Sequence, residues 1–311
     1  MSFRQTLAVF LFFGLLAPLW SESKPYPRFF SSAGTFFTVG SANEYVYSSS
    51  TGTGLTSQLN WPVPLSVGGW TLFGAKLDSH WDVSVRYQGA QAVLNGTMTD
   101  QDWNIHDSDG NLITHQQSTS TAYLNSNWEF RTEAGYTFPF MEFDTRPLVG
   151  LFYHQYYWEA WGGNLTVIPA SSAAYTSSWT GTSGTYRQEW VVPYVGVEVK
   201  KDMHSWAWGG ALRVSPFLFS NNTDEHVLRV LTFNDTLWGG FMVEPSVNNE
   251  WVVFPNVSLV GDLSLRMIFS ARGDETVTEN GSSSSKTYTF AGYAGADMIA
   301  FTASLGLKAA Y

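Results

Sequence analysis

The sequence of 311 residues contains no cysteine and few charged side chains. The lack of cysteine excludes disulfide bridges, thiolate metal sites and a lipid anchor on an N-terminal cysteine. Charged residues make up 14% of the chain, whereas soluble globular domains average about 25%. The formal net charge of −10 argues against a nucleic-acid partner and favours cationic partners.

Apolar runs long enough to span a membrane as a helix are also absent after the first twenty residues. The mean hydropathy is −0.09, which excludes a bundle of transmembrane helices. Aromatic residues nevertheless reach 16%, with 14 Trp, 15 Tyr and 22 Phe. Neutral mean hydropathy with abundant aromatics is typical of a transmembrane β-barrel, because lipid-facing and lumen-facing residues alternate along each strand.

The N-terminus has the pattern of a secretory signal peptide. A positive charge precedes an apolar run that ends at Trp20, and the small residues Ser21 and Ser23 then occupy the −3 and −1 positions of a cleavage site. A membrane anchor is the alternative, but the run is shorter than the roughly 20 residues that a spanning helix needs. Residues 1–23 are therefore predicted to be removed on export, which leaves residues 24–311 as a single outer-membrane β-barrel domain.

Apolar and polar residues alternate along most of the mature chain, as in a β-strand with one lipid-facing side. The odd positions are mostly apolar between Trp81 and Asn95, and the even positions are mostly apolar between Trp206 and Leu218. Turn residues divide the alternating segments into ten predicted strands. These lie near residues 33–49, 55–75, 80–103, 118–137, 147–163, 184–201, 204–222, 229–247, 252–271 and 286–311.

The connections between the predicted strands alternate in length. The longer set lies near residues 104–117, 164–183, 223–228 and 272–285 and is rich in Ser, Thr, Gly and Asn. Short turns on one rim and long loops on the other are typical of outer-membrane barrels, whose long loops are extracellular. The predicted fold is therefore all-β: a ten-stranded antiparallel transmembrane β-barrel with long extracellular loops and both termini in the periplasm.

Two pairs of polar residues lie where a predicted strand leaves the membrane toward a long loop. Asp100 and Asp102 end the third strand, and Asp224 and His226 end the seventh. Members of a pair are two positions apart, so their side chains share one face of a strand. The aspartate pair has the parity of the lumen-facing set. The second pair has outward parity when counted from the start of its strand, so a lumenal site requires a bulge, for which Pro216 is a candidate because it has no N–H.

These four residues have the chemistry to activate a water molecule. A neutral His226 can accept a proton from water while Asp224 holds the other ring nitrogen and stabilises the imidazolium. Asp100 can hold the water on its other side, and Asp102 raises one pKa of the aspartate pair by like-charge repulsion. The alternative for each pair is a solvated rim or a loose calcium ligand. The other five histidines have no aspartate in the same arrangement, and we interpret them as polar residues of the surface or of the membrane-interface girdle.

Six stretches of the mature chain have the residue types and the order of a known family: Ser57–Trp61, Gly69–Trp70, Met98–Trp103, Pro193–Gly196, Asn222–His226 and Gly306–Lys308. Through them the chain resembles the omptin family of outer-membrane aspartyl-type proteases, over essentially its whole mature length. The resemblance implies an endopeptidase in the outer membrane of a Gram-negative-type bacterium, with its active site facing outside.

The resemblance also implies an active site and a substrate class. Omptins place an Asp–Asp pair opposite an Asp–His pair, which corresponds to Asp100 and Asp102 opposite Asp224 and His226, and water attacks the peptide bond with no covalent intermediate. The family cleaves polypeptides next to Arg or Lys, and Glu44 matches one acidic residue of the pocket for that basic side chain. Cationic peptides or proteins are the implied substrates, and outer-membrane lipid is the implied surroundings.

Two positions depart from the family pattern. Asn222 stands where omptins have a second pocket carboxylate, so the attraction for a basic side chain should be weaker. Gln155 stands where a lipid-binding arginine is expected, so lipopolysaccharide should bind weakly, and whether activity depends on it is left open. The resemblance implies no cofactor and no metal ion.

Three other functions stay open from the residues alone. A catalytically silent barrel would serve as a surface adhesin through its Ser-, Thr- and Asn-rich loops. A barrel lipase would need a serine activated by His226, and Ser220 is the closest in sequence. A passive pore is disfavoured, because charged lumen-facing residues should pair and plug so narrow a barrel. These residues are Arg86, Glu129, Arg131, Glu133 and Arg213.

Overall fold

The computed structural model describes residues 28–48, 54–107, 109–281 and 285–310. The predicted signal peptide, residues 1–23, and the terminal Tyr311 lie outside the described residues. Most of the described chain is β-strand. The fourteen segments are β1 (Arg28–Tyr47), β2 (Leu55–Lys76), β3 (Trp81–Ala92), β4 (Gly96–His106), β5 (Leu112–Tyr136), β6 (Phe138–Phe140), β7 (Phe143–Pro169), β8 (Tyr175–Met203), β9 (Trp206–Ser215), β10 (Leu218–His226), β11 (Leu231–Gly239), β12 (Phe241–Phe254), β13 (Val257–Glu279) and β14 (Lys286–Ala310).

Ten long antiparallel strands form a closed barrel. Three of them are divided into two segments, namely β3 with β4, β9 with β10, and β11 with β12, while β6 is a short addition beside β7. Closure comes from β1, which pairs with β2 on one side and with β14 on the other, from Phe30↔Ala310 to Val46↔Ala294. A closed ring has no unpaired edge, as lipid surroundings require. The predicted ten-stranded antiparallel barrel is confirmed.

A belt of exposed apolar side chains surrounds the half of the barrel where β1 begins and β14 ends. Above this belt the outward faces become polar, as at Asn221 and Glu225 on β10. Apolar outward faces are those that contact lipid hydrocarbon, so we call this half the membrane-spanning part and the opposite end the upper rim. Among the described residues, no helix is long and apolar enough to cross a membrane. The belt includes Val39, Val67, Val85, Phe130, Leu151, Val197, Leu212, Val247, Leu263 and Leu305.

The polar segments predicted as long loops are mostly strand, which corrects their assignment. β4 and β5 are joined by residues 107–111, β7 and β8 by residues 170–174, and β10 and β11 by residues 227–230. The extensions are rich in Ser and Thr on both faces, so they lack the apolar stripe by which a strand is recognised. Threonine nevertheless favours extended backbone. Long hairpins with short turns therefore form the upper rim.

Odd-numbered side chains point into the barrel along β9, whereas even-numbered side chains point inward along β10. This change of parity determines which side chains of β10 face the inside of the upper rim. Ala211 and Ser215 point into the barrel from β9, whereas Leu218 and Asp224 point inward from β10. The break lies at Pro216 and the following residue, where the sequence analysis placed the required interruption. Leu218 was predicted on the outer apolar face, but its side chain is 0% exposed, because the change of parity turns it into the lumen.

Ion pairs fill the lumen of the membrane-spanning part. Arg131 Nη1 lies 2.7 Å from Glu244 Oε1, and Arg131 Nε lies 3.0 Å from Glu129 Oε1. Arg266 bridges the same two glutamates at 2.5 and 2.6 Å. These contacts confirm the predicted pairing for Glu129 and Arg131, and Arg213 with Glu133 is a further predicted pair at 2.8 Å. Arg86 lies over the Trp70 ring at 4.8 Å and has no acidic oxygen of a described residue within 4.0 Å, so its predicted pairing was wrong. A barrel packed in this way does not have the open lumen of a passive pore.

His154 belongs to this lumenal network, although the sequence analysis interpreted it as surface or girdle polarity. The ring is buried, its Nε2 lies 2.8 Å from Asn127 Oδ1, and its Nδ1 lies 2.9 Å from an Arg266 nitrogen. Its strand, β7, faces even-numbered residues into the lumen at this level. The prediction was wrong because a single histidine between aromatic residues gives no parity signal of its own.

Candidate active site

The aspartate pair of β4 points into the upper barrel, as its parity predicted. Gln116 Nε2 donates to Asp102 Oδ2 at 2.7 Å, and Ser57 Oγ lies 3.5 Å from Asp100 Oδ1. Burial, and then the neighbouring charge of Asp102, raise the pKa of Asp100 to about 7. One carboxyl of the pair therefore titrates near neutral pH, which makes Asp100 able to change its protonation state under ordinary conditions.

The second pair is a hydrogen-bonded Asp–His unit. His226 Nε2 lies 2.6 Å from Asp224 Oδ2, and the Asp224 side chain is buried. An ionised carboxylate can only accept, so Nε2 carries the proton and Nδ1 is the basic nitrogen of a neutral ring. Arg229 Nε donates to this Nδ1 at 3.0 Å, and its Nη2 contacts the same atom. The proton-accepting nitrogen of the pair is thus covered by a guanidinium in this structure.

Asp100 of the first pair and both residues of the second line one cleft, although the pairs come from the third and the seventh of the ten long strands. The cleft has a volume of about 230 Å³. Charges of His226 and Arg229 act on the Asp100 carboxyl across it and partly oppose the rise of its pKa. The remaining wall combines apolar side chains with serine and glutamine side chains. The lining residues that matter here are Met98, Asp100, Leu165, Trp179, Asp224, His226 and Leu228.

Glu44 lies deep beside this cleft. Cross-strand register places it in one row with Leu59 and Asp100, through β1, β2 and β4. The carboxyl is buried, and its Oε2 accepts no hydrogen bond from the residues that the structure describes. Burial raises the pKa of Glu44 well above its usual range, and the nearby carboxylate of Asp224 adds to the rise. A cation entering the pocket would remove this electrostatic penalty.

Asn222 also faces the inside of the barrel, one repeat of the strand below Asp224. Its side-chain Oδ1 accepts a hydrogen bond of 2.8 Å from Ser220 Oγ. The carbonyl oxygen of Glu189 also lies 2.8 Å from Ser220 Oγ, so the two acceptors share the single proton of this hydroxyl. Ser220 is therefore bonded away from His226, and the arrangement of a serine nucleophile that a lipase would need is not formed by this serine.

Two buried acids near Glu44 were missed by the sequence analysis. Asp235 of β11 pairs directly with Asn222 of β10 and with Glu275 of β13. Burial is the first cause that raises the pKa of both acids, to about 7 for Glu275, and each also feels the charge of Asp224. Glu275 lay in a segment predicted as a loop, so its parity was not considered.

Among the described residues, no group of three or more His, Asp or Glu side chains is arranged to hold a metal ion. The groups that converge on the cleft are instead an imidazole with a bonded carboxylate and a second carboxyl that titrates near pH 7. A water molecule between Asp100 and His226 would contact an acceptor on each side. The arrangement is suited to general-base activation of water, with the proton leaving to the imidazole.

Comparison with known proteins gives one consistent result. The model of the Omptin family matches residues 30–311. The plasminogen activator of Yersinia pestis is 22% identical over 258 residues, covering 80% of this chain and 79% of the relative. The outer membrane protease IcsP of Shigella flexneri is 23% identical over 297 residues, covering 86% of each. The crystal structure of the outer membrane protease OmpT from Escherichia coli superimposes with a TM-score of 0.76 at 20% identity, over 94% of this chain and 100% of that one.

Proposed function

The chain belongs to the omptin family, and on this basis we propose that it is an endopeptidase that hydrolyses polypeptides in the cleft at the upper rim. It is a β-barrel of the outer membrane of a Gram-negative bacterium, and its upper rim faces the outside of the cell. Relatives that match most of the chain bear the name outer membrane protease. The observation that carries the proposal is the convergence of Asp100 and the Asp224–His226 pair on one cleft.

In the proposed mechanism a water molecule lies between Asp100 and His226. Nδ1 of His226 takes a proton as the water oxygen bonds to the scissile carbonyl carbon, and Asp224 stabilises the resulting imidazolium through its bond to Nε2. The imidazolium then returns the proton to the amide nitrogen as the C–N bond breaks. Asp102 keeps the proton affinity of Asp100 high, and no bond forms between protein and substrate.

Arg229 must leave Nδ1 of His226 before this nitrogen can accept a proton. Its guanidinium now donates to that atom, and the side chain lies at an exposed turn from which it can swing away. A hydrogen bond of this kind contributes roughly 1 kcal/mol, so Arg229→Gln is expected to raise kcat/KM about fivefold. Arg187→Gln, on the outer face of β8, is the matched control. A clear loss of activity in Arg229→Gln would show instead that the guanidinium assists the reaction.

The rate of cleavage should depend on pH through the protonation of the aspartate pair. Because the pKa of Asp100 is raised to about 7, the ionised form that orients water is lost as pH falls below 7. We expect kcat/KM to decrease about tenfold for each pH unit below that value. Asp102→Asn removes the like charge and should move this acid limb to lower pH. An acid limb that stays in place in Asp102→Asn would contradict the proposed coupling of the two carboxyls.

We propose that the preferred substrates are cationic, with a basic side chain before the scissile bond. Glu44 supplies a buried carboxyl with an unpaired oxygen close to the cleft. Asn222 contributes an amide where a second carboxylate would strengthen the attraction. The net charge of −10 for the whole chain adds a long-range attraction for cationic peptides at low ionic strength.

Lipopolysaccharide is proposed to bind only weakly to the outer face. Gln155 points outward from β7 and brings no charge to the lipid phosphates. The nearby Arg187 is half-exposed, but its Nε lies 3.8 Å from Glu189 Oε2, so much of its charge is offset. A single paired guanidinium offers little for a phosphate group, which is best bound by several unpaired basic side chains.

The proposal is tested by incubating the refolded protein with an unstructured protein in water enriched in ¹⁸O. We expect new termini by mass spectrometry, with one ¹⁸O atom at each new carboxyl group, and no labelling of the barrel by a fluorophosphonate. The double variant Asp100→Asn/His226→Ala should leave the protein uncut. Binding without any cleavage by the folded wild type would favour the adhesin function instead.

A further inference from the structure

Three carboxyl groups are buried together below the cleft without a compensating cation. Glu44 is 3% exposed, and Asp235 and Glu275 are each 5% exposed. In the part of the chain that the structure describes, none of the three has a basic nitrogen within 4.0 Å, whereas Glu129 and Glu244 lower in the barrel are paired with arginines. Buried acids without a nearby cation are costly to a fold, which suggests that this cluster is kept for a ligand.

The register of the strands places this cluster within reach of the cleft. Asn222, Asp235 and Glu275 are directly opposed across β10, β11 and β13. They lie two residues down the strand from Asp224, a step of about 7 Å. Asp224 itself lines the cleft. A long side chain that enters the cleft beside the Asp224–His226 pair therefore points toward the carboxyls.

The unpaired oxygen of Glu44 is a second and independent sign of a ligand. Its Oε2 is buried and accepts no hydrogen bond from any described residue. Tyr186 lies close enough to Glu44 and Asp235 to feel their charges. Its ring is stacked on that of Trp61 with centroids 5.3 Å apart, and both rings are buried. Aromatic faces and carboxylates together favour a cation over a neutral polar group.

We propose that Asp235 and Glu275 replace the carboxylate that is absent at Asn222, and that they select an arginine side chain before the scissile bond. This inference rests on the proposed peptidase function. Directly opposed residues on neighbouring strands have Cβ atoms about 4.5–5.5 Å apart, so two carboxylates in this position can both meet a planar guanidinium. The N–H groups of the guanidinium form a fork that can donate to both carboxylates at once, whereas the ammonium group of lysine is a single point charge.

The kinetic test compares arginine, lysine and norleucine at one position of a quenched peptide. Asp235→Asn is expected to lower kcat/KM at least about 30-fold for the arginine peptide, with little change for norleucine. Glu225→Gln, on the outward face of β10, should leave all three rates unchanged. Adding Asn222→Asp to Asp235→Asn should restore much of the arginine preference, because it returns a carboxylate to the same cross-strand pair. Equal rates on arginine in wild type and Asp235→Asn would overturn the proposal.

A binding measurement distinguishes failure of the proposed arginine pocket from failure of the proposed peptidase activity. Calorimetric titration with acetyl-arginine amide uses the folded barrel and needs no catalysis. We expect binding to wild type and to His226→Ala, and weaker binding by at least about 30-fold in Asp235→Asn and in Glu275→Gln. Binding that is lost with the carboxyls, in a protein that cuts no peptide, would support the pocket and count against the peptidase. Undiminished binding in both variants would overturn the pocket even if peptides are cut.

Discussion

Replacing His226 by alanine is expected to lower kcat by a factor of about 10³ to 10⁴. Among the described residues that line the cleft, the ring is the only group with a basic nitrogen fixed by a buried carboxylate, through the 2.6 Å bond from Nε2 to Asp224. Without it, neither proton transfer from water nor protonation of the leaving amine has a positioned partner. KM should change little, because the proposed pocket for the substrate side chain lies lower in the barrel. Steady-state kinetics on one peptide gives both constants.

Two further variants make this prediction specific. His106→Ala removes an exposed histidine at the same rim and should retain wild-type kcat. Asp224→Asn keeps the shape of the pair but cannot stabilise the imidazolium, so it should lose a large part of the rate as well. A His226→Ala protein that keeps more than about a tenth of wild-type kcat would mean that the water is activated elsewhere.

Replacing Glu244 by glutamine is expected to destabilise the barrel by about 3–5 kcal/mol. Glu244 is 3% exposed and lies 2.7 Å from Arg131 and 2.6 Å from Arg266. The amide has nearly the same shape but no charge, so two buried guanidinium groups lose a shared counterion and repel each other. Coulomb interactions between such groups are strong because few solvent dipoles are available to screen them.

Equilibrium unfolding in denaturant, followed by tryptophan fluorescence in micelles, measures this effect. Glu225→Gln changes the same residue type at an exposed outward position and should shift the free energy of unfolding by less than about 0.5 kcal/mol. Native cleavage by Glu244→Gln should persist, since the network lies below the cleft. A loss of stability smaller than about 1 kcal/mol would show that the lumenal ion pairs do not hold the barrel together.

The membrane-spanning part of the barrel could be predicted from the sequence because its strands have a clear alternation of apolar and polar residues. Lipid on one side and a polar lumen on the other force alternation with a period of two. This alternation gave the strand count and the inward facing of Asp100 and Asp102. It also showed that Asp224 and His226 required an interruption below them, and the chain has that interruption at Pro216.

Above the membrane both faces of a strand contact polar surroundings, and the signal disappears. The Ser- and Thr-rich extensions were therefore predicted as loops, and the inward facing of Glu275 was not seen. Arg229 was missed for another reason: a contact between a turn residue and the His226 ring depends on side-chain geometry that no periodicity records. The pairing of Asn222 with Asp235 likewise depends on the register between β10 and β11, which alternation alone does not give.

The most direct test of the account is the cleavage of a quenched fluorescent peptide library by the refolded protein, beside His226→Ala and Asp100→Ala. We expect cleavage by wild type, loss of cleavage in both variants, and cuts that follow arginine. Addition of lipopolysaccharide should change these rates little. A folded wild-type barrel that cuts no peptide of the library, with or without lipopolysaccharide, would contradict the central claim that the four residues of the cleft form a peptidase.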